Sequence, residues 1–137
     1  MGGVQVKYLL DTHVWIWWHS EPENVSDRVR RLLEDTGNYD ELLLSAISPW
    51  EFAKLIEKGR IDLYTDPEEW MSRALQMPKL RLVPFTPRIA CRSTRLPGEF
   101  RGDPGDQIII ATARDETATI ITRDERIRKY RHVKTIW

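Results

Sequence analysis

Val4-Gln5-Val6-Lys7-Tyr8-Leu9-Leu10-Asp11-Thr12-His13-Val14-Trp15-Ile16-Trp17-Trp18 changes character at a single residue, Asp11. Before it, Val4 to Leu10 is a β-rich run. After it, Val14 to Trp18 is apolar on nearly every side, as in a buried helix. A strand that hands over to a buried helix opens a βα unit, and here a carboxylate stands at the junction.

The rest of the chain repeats the alternation. Val25, Val29, Leu32 and Leu33 recur at helical spacing, with Asn24 or Ser26 as cap and Gly37 as stop. Leu42 to Ser45 is a second short strand. Ser48-Pro49-Trp50-Glu51 reads as a helix start, with a hydroxyl cap, a proline at the first position and an acid three residues after the cap. That helix runs to a stop at Gly59, and Asp66-Pro67 opens another by the same logic. Leu80 to Phe85 is a third strand, and Thr86-Pro87 begins a helix that ends before Pro97. The longest loop, Leu96 to Gly105, holds two prolines and three glycines. Asp103-Pro104-Gly105-Asp106 then starts a helix whose Ile108 to Ala113 mark it as mostly buried. Ala118 to Thr122 is a fourth strand, Asp124 to Lys129 a short helix, and Val133 to Trp137 a fifth strand. Strands alternating with helices imply an α/β fold with a mainly parallel sheet covered on both faces. With 137 residues and no linker, repeat or low-complexity tract, residues 1–137 are expected to form a single domain.

Composition excludes more than it selects. Hydrophobic residues make up 41% and charged residues 31% of the chain, which argues against disorder. Its 21 basic and 21 acidic residues cancel, so any nucleic-acid contact must come from a local cluster. Cys91 stands alone, which rules out an internal disulfide and fits a reducing cytoplasm. No run approaches the roughly 18 apolar residues of a membrane span, and Met1 to Lys7 lacks the regions of a signal peptide. A soluble cytoplasmic protein is expected.

Four acids follow the strand ends or open helices: Asp11, Glu51, Asp106 and Asp124. In open α/β sheets, ligands bind beyond the carboxyl ends of the strands, so acids distant in sequence would meet along that edge. Like charges about 5 Å apart repel by about 3 kcal/mol per pair at an effective dielectric of about 20. Such a cluster must take up protons or bind cations. Oxygen ligands without histidine or thiolate favour Mg²⁺ or Mn²⁺ over zinc, and helix N-termini lessen the repulsion without removing it. Taken singly, each acid reads more readily as a helix cap, with Glu51 paired to Ser48 and Asp106 to Asp103. Capping does not explain why the buried helix at Ile108 to Ala113 should begin with two acids. A divalent cation held by such carboxylates lowers the pKa of its water and suits phosphodiester hydrolysis, in which the substrate brings further anionic oxygens.

Four motifs in order then resemble one family. They are Leu9-Leu10-Asp11-Thr12-His13; Ser45 with Ser48-Pro49-Trp50-Glu51 and Lys54, ending at Lys58-Gly59-Arg60-Ile61; Asp103-Pro104 with Asp106 and Ile109-Ile110-Ala111-Thr112-Ala113; and Ile121-Thr122 with Asp124. Together they resemble a PIN-domain ribonuclease, in particular the VapC-like toxins of type II toxin-antitoxin modules. The resemblance spans nearly the whole chain. It implies a three-layer α/β/α sandwich and a Mg²⁺- or Mn²⁺-dependent endoribonuclease with one or two ions, whose acidic quartet is Asp11, Glu51, Asp106 and Asp124. It makes Thr122 a hydroxyl that orients water or an acid. Thr12 and Ser45 lie near the acids, and local backbone bonding is the plainer role of all three. Asp103 reads as the cap of its helix rather than a metal ligand. The resemblance further implies an RNA substrate, a homodimer and a VapB-like antitoxin that covers the site. Relatives often carry histidine where Arg101 stands and arginine where Gln107 stands; neither departure removes a carboxylate.

Lys54, Arg60, Arg123, Arg126 and Arg128 surround the motifs, and a solvated face is the ordinary reading of such residues. Lys54 and Arg123 are singled out as RNA contacts. Trp15, Trp18 and Trp50 are read as core or dimer interface. Rival α/β switches fit poorly: a phosphoacceptor domain needs adjacent acids after its first strand, and a dehalogenase-like phosphatase needs a second aspartate two residues beyond the first. The remaining alternative is a catalytically silent PIN-like module that binds RNA or protein.

Overall fold

The computed structural model describes residues 3–137; of the expected leaderless start, Met1 and Gly2 lie outside the described residues. Five strands, β1 (Lys7–Leu10), β2 (Glu41–Ser45), β3 (Leu80–Val83), β4 (Thr119–Ile121) and β5 (Thr135–Ile136), form one sheet in the order β3-β2-β1-β4-β5. Every pairing is parallel, with Leu9 opposite Leu43 on one side and Ile120 on the other.

Seven helices cover the sheet. They are α1 (Thr12–Ser20), α2 (Asp27–Glu34), α3 (Ile47–Glu57), α4 (Pro67–Ala74), α5 (Pro87–Ser93), α6 (Pro104–Glu116) and α7 (Glu125–Lys129). Alternate strand residues point to opposite faces. Leu10, Leu42, Leu44 and Ile121 pack with α1 to α4, through Val14, Trp15, Val29, Phe52 and Ala74. Leu9, Leu43, Val83 and Ile120 pack with α5 to α7, through Ile89, Ile109, Ile110 and Ile127. The result is the expected three-layer α/β/α sandwich. Its layers follow from right-handed crossovers: the chain steps one way through β1, β2 and β3, then reverses to β4 and β5, so the later helices fall on the other face.

The reversal positions the site. β1 and β4 are neighbours at which connections leave in opposite directions, and such a switch point opens a crevice beyond the strand ends. Asp11 directly follows β1, and its N–H donates to the Ile121 carbonyl at the end of β4 (3.0 Å).

Several elements differ from expectation in extent. Val4 to Val6 are exposed and outside β1, because pairing with β2 starts at Lys7. β3 stops at Val83, β4 spans three residues and β5 two, since their ladders are only that long. The cap of α2 is Ser26, whose hydroxyl accepts from Val29 N–H; the helix ends at Glu34, and Gly37 falls in a following 3₁₀ turn. Asp66 and Thr86 cap α4 and α5 as read. α3 begins at Ile47 rather than after Ser48, because Ser45 Oγ accepts from Ile47 N–H and starts the turn early. Pro49 is tolerated there because the N–H groups of a first helical turn lack partners within the helix in any case. Trp15 is fully buried, its indole N–H donating to the Ala74 carbonyl (3.1 Å). Trp18 is partly buried, whereas Trp50 is 57% exposed and so is not core. The larger aromatic anchor is Trp70, stacked on Phe52 at 4.2 Å and edge-on to Trp15 at 5.3 Å.

Candidate functional site

Asp11 occupies the N-cap position of α1, yet its side chain makes no cap bond. It accepts instead from the Thr122 hydroxyl, Oγ1 to Oδ2 at 2.7 Å, in a buried bond between the ends of β1 and β4. Thr122 Oγ1 in turn accepts the Asp124 N–H (3.0 Å), so one fully buried hydroxyl ties the first and last acids together. Asp124 caps α7 through Oδ1, which accepts from Arg126 and Ile127 N–H. Asp11 and Asp124 line a cleft of about 310 Å³ with His13, Val14, Trp17 and Arg123.

Glu51 comes from the opposite wall. It lies in the second turn of α3, not the first as read from the sequence, because the helix starts early. It has no capping-box partner in Ser48. Thr12 Oγ1 donates to Glu51 Oε1 (2.6 Å) and also lies 2.7 Å from Ser48 Oγ. A hydroxyl has one proton, so with Thr12 donating to Glu51, Ser48 must donate to Thr12. This relay orients Glu51. Gly105 lets α6 approach that carboxylate: a Cβ there would stand 2.3 Å from Glu51 Oε2.

Asp106 projects from the first turn of α6, and Asp103 holds the N-cap position without a side-chain cap bond. The sequence therefore placed Asp103 correctly, but its carboxylate does not do the capping. Ser45 accepts locally from Ile47 N–H, the plainer of its two roles.

Electrostatics tie the acids together. Burial, above all, pushes the Asp106 carboxyl up to about 7, and the charges of Asp11, Asp124 and Asp103 add to it. Burial likewise raises Glu51 against the pull of the Thr12 hydroxyl, with Asp11 and Asp103 adding. It raises Asp11 too, opposed by the Thr122 hydroxyl and His13, with Asp124 adding. Each of the four thus lies within Coulombic reach of at least one other. Among the described residues no three carboxylate, imidazole or thiol groups are gathered tightly enough to form a finished metal cage. The arrangement is a cleft holding Asp11 and Asp124, with Glu51 and Asp106 within Coulombic reach of Asp11, a set of mutually repelling acids that a hard divalent cation would draw together. The all-oxygen donors, with Glu51 brought against α6 at Gly105, fit such an ion.

Of the two cations singled out for RNA, Arg123 lines the crevice, its guanidinium 5.8 Å from the centre of the Trp17 ring. Lys54 pairs with Glu57 at 2.9 Å and lies 5.7 Å from the Trp50 ring centre. Sequence reasoning missed the Ser48 to Thr12 bond, because no local spacing marks a partner 36 positions away. It missed Trp17 as a cleft residue because an all-round apolar helix conceals which ring faces out.

Residues 8–133 match the model of the PIN domain. The chain is 37% identical over 131 residues to "Ribonuclease VapC22" of Mycobacterium tuberculosis, covering 94% of this chain and 97% of that protein. In fold it is similar to VapBC2 from Rickettsia felis bound to a promoter DNA fragment, at a TM-score of 0.67 and 15% identity, covering 96% of this chain and 98% of that one. It is also similar to FitAcB from Neisseria gonorrhoeae, at a TM-score of 0.61 and 24% identity, with 95% and 96% covered. With a 3-2-1-4-5 parallel sheet, acids converging on its switch point and a family match across nearly its whole length, the chain belongs to the PIN domain family.

Proposed function

We propose that this chain is a metal-dependent endoribonuclease, the toxin of a VapBC-type toxin-antitoxin pair, with Asp11, Glu51, Asp106 and Asp124 as its catalytic acids. The observation that supports the reading is the Coulombic reach of these acids on one another near the switch point between β1 and β4, with burial and mutual repulsion raising the pKa of three of them. The 37% identity to a protein named a ribonuclease supports the substrate class.

Mg²⁺ or Mn²⁺, as one or two ions, would be held by these carboxylates and would supply an activated water and neutralise phosphate charge. Thr122 holds Asp11 at a fixed angle, and the Ser48 to Thr12 relay does the same for Glu51. Both spare the carboxylates the entropy of ordering when cation and substrate arrive. Arg123, on the crevice wall, is placed to meet a phosphate, and Lys54 is a second candidate. A VapB-like antitoxin as inhibitor is supported by the VapBC complexes among the structural neighbours. A homodimer acting in the cytoplasm completes the proposal; no described helix is long and apolar enough to cross a membrane.

The purified protein should cut single-stranded or structured RNA in Mg²⁺ or Mn²⁺ and stop in EDTA. Asp11→Ala and Asp106→Asn should each abolish cleavage with an unchanged circular dichroism spectrum. Full activity in both variants, or cutting that survives EDTA, would overturn the assignment.

A further inference from the structure

We propose that a basic cleft beside the acids, walled by the loop before α6 and by the end of α7, is the track along which a single RNA strand reaches the site. The inference rests on the ribonuclease reading above. The cleft has a volume of about 520 Å³, and its walls carry Phe100, Arg101, Arg126, Lys129, Arg131 and His132. Four permanent cations on one concavity are a strong local excess in a chain whose formal net charge is zero. Glu99 is the acid among its lining residues, and it pairs with Arg101 at 2.9 Å. Lys129 reaches Glu125 only at 3.8 Å, and Arg126 and Arg131 have no carboxylate partner among the described residues. Cations left without acids in a concave wall suit a ligand that brings its own negative charges at regular intervals.

Position selects RNA over an acidic protein. Both walls adjoin the catalytic acids along the chain: Arg126 lies two residues beyond Asp124, and Arg101 five residues before Asp106. A Cβ built on Gly102 would lie 2.2 Å from the Phe100 ring and 3.2 Å from Asp106 Oδ2, so that ring and that carboxylate flank one glycine. The cleft floor is aromatic, with Phe100 edge-on to Tyr130 at 5.4 Å and Tyr130 beside His132 at 5.3 Å. Charge along the walls with rings between them is how sequence-tolerant single-strand binders are built. The same arrangement gives Arg101 a use: it adds a permanent charge to the wall nearest α6. Arg126, read from the sequence as an ordinary solvated residue, becomes a group that meets substrate.

The test is binding of a fluorescein-labelled unstructured RNA oligonucleotide to the full chain in EDTA, followed by anisotropy across a series of KCl concentrations. Arg126→Ala/Arg131→Ala should weaken binding about tenfold or more and flatten the log-log salt slope by about 0.7 for each phosphate that is no longer neutralised. Arg28→Ala/Arg31→Ala removes the same charge from α2, on the other face of the sheet, and should change neither. Unaltered affinity and slope in the first pair, or an equal loss in the second, overturns the cleft. So does a polyglutamate peptide whose binding needs Arg126 and Arg131 while RNA binding does not, an outcome that would make the cleft a protein-docking site. Cleavage in Mg²⁺ is scored separately. Cutting with binding indifferent to the cleft variants removes this inference alone, and cleft-dependent binding without cutting removes only the nuclease reading.

Discussion

Thr122 serves two neighbours with one oxygen, donating to Asp11 and accepting from the Asp124 backbone, and it is fully buried while doing so. Thr122→Val keeps the shape and removes both bonds. A buried donor left unpaired costs about 1–3 kcal/mol, and more where a charged partner is involved. The urea midpoint should fall by an amount in that range, and divalent-metal affinity should drop because Asp11 is no longer held. The relay at Glu51 invites a finer comparison. Thr12→Val should lower cleavage far more than Thr12→Ser, since serine keeps the hydroxyl that Glu51 accepts from. Equal rates in the two variants would show that the Thr12 bond does not orient the acid.

The helices carry their acids in different ways, and variants can separate capping from chemistry. Asp124 satisfies two N–H groups of α7, so Asp124→Ala should lose about 0.5–2 kcal/mol of stability together with activity. Asp124→Asn keeps a capping oxygen and should lose cleavage while unfolding at nearly the wild-type denaturant concentration. Asp11 and Asp103 cap nothing with their side chains, and this contrast could not be read from the sequence, where all of these acids look like caps. Legibility followed locality. Caps at Ser26, Asp66 and Thr86, the glycine stop near Gly59 and the buried run of α6 each depend on residues within a few positions, and each was readable. The lack of a Ser48 to Glu51 capping box was not, because the Ser48 hydroxyl turns instead to Thr12, 36 positions away. That Asp11, Glu51, Asp106 and Asp124 come within Coulombic reach of one another was readable, because parallel strands bring their ends to one edge. The basic cleft was not, since Phe100, Arg126 and His132 meet only once the loop before α6 folds onto α7.

At the scale of the whole molecule, the sheet separates function from stability. Lys7, Glu41 and Arg81, on adjacent strands, form an ion-pair network with Glu116 at the end of α6, with Arg81 2.6 Å from Glu41 and 2.7 Å from Glu116. These charges are compensated. Asp11, Glu51 and Asp106 are not, and burial holds all three with raised pKa values that oppose their ionisation. Asp106 sits at about 7 against an ordinary 3.8, chiefly from burial. Between those values the native state keeps a proton that the unfolded chain has already released, so rising pH weakens the metal-free fold across that window. A divalent cation reverses the preference, since it binds the ionised acids of the native state. Below about pH 7, where Asp106 takes up its proton, protons compete with it. The melting temperature of the metal-free protein should therefore be lower at pH 8 than at pH 5.5, and the rise produced by millimolar Mg²⁺ should be larger at pH 8. In Asp106→Asn the decline between the two pH values should shrink, because one of the raised acids is gone. A Mg²⁺ shift of the same size at both pH values, in a wild-type protein that still cleaves RNA, would mean that the acids are not ionised by the metal and that another group holds it.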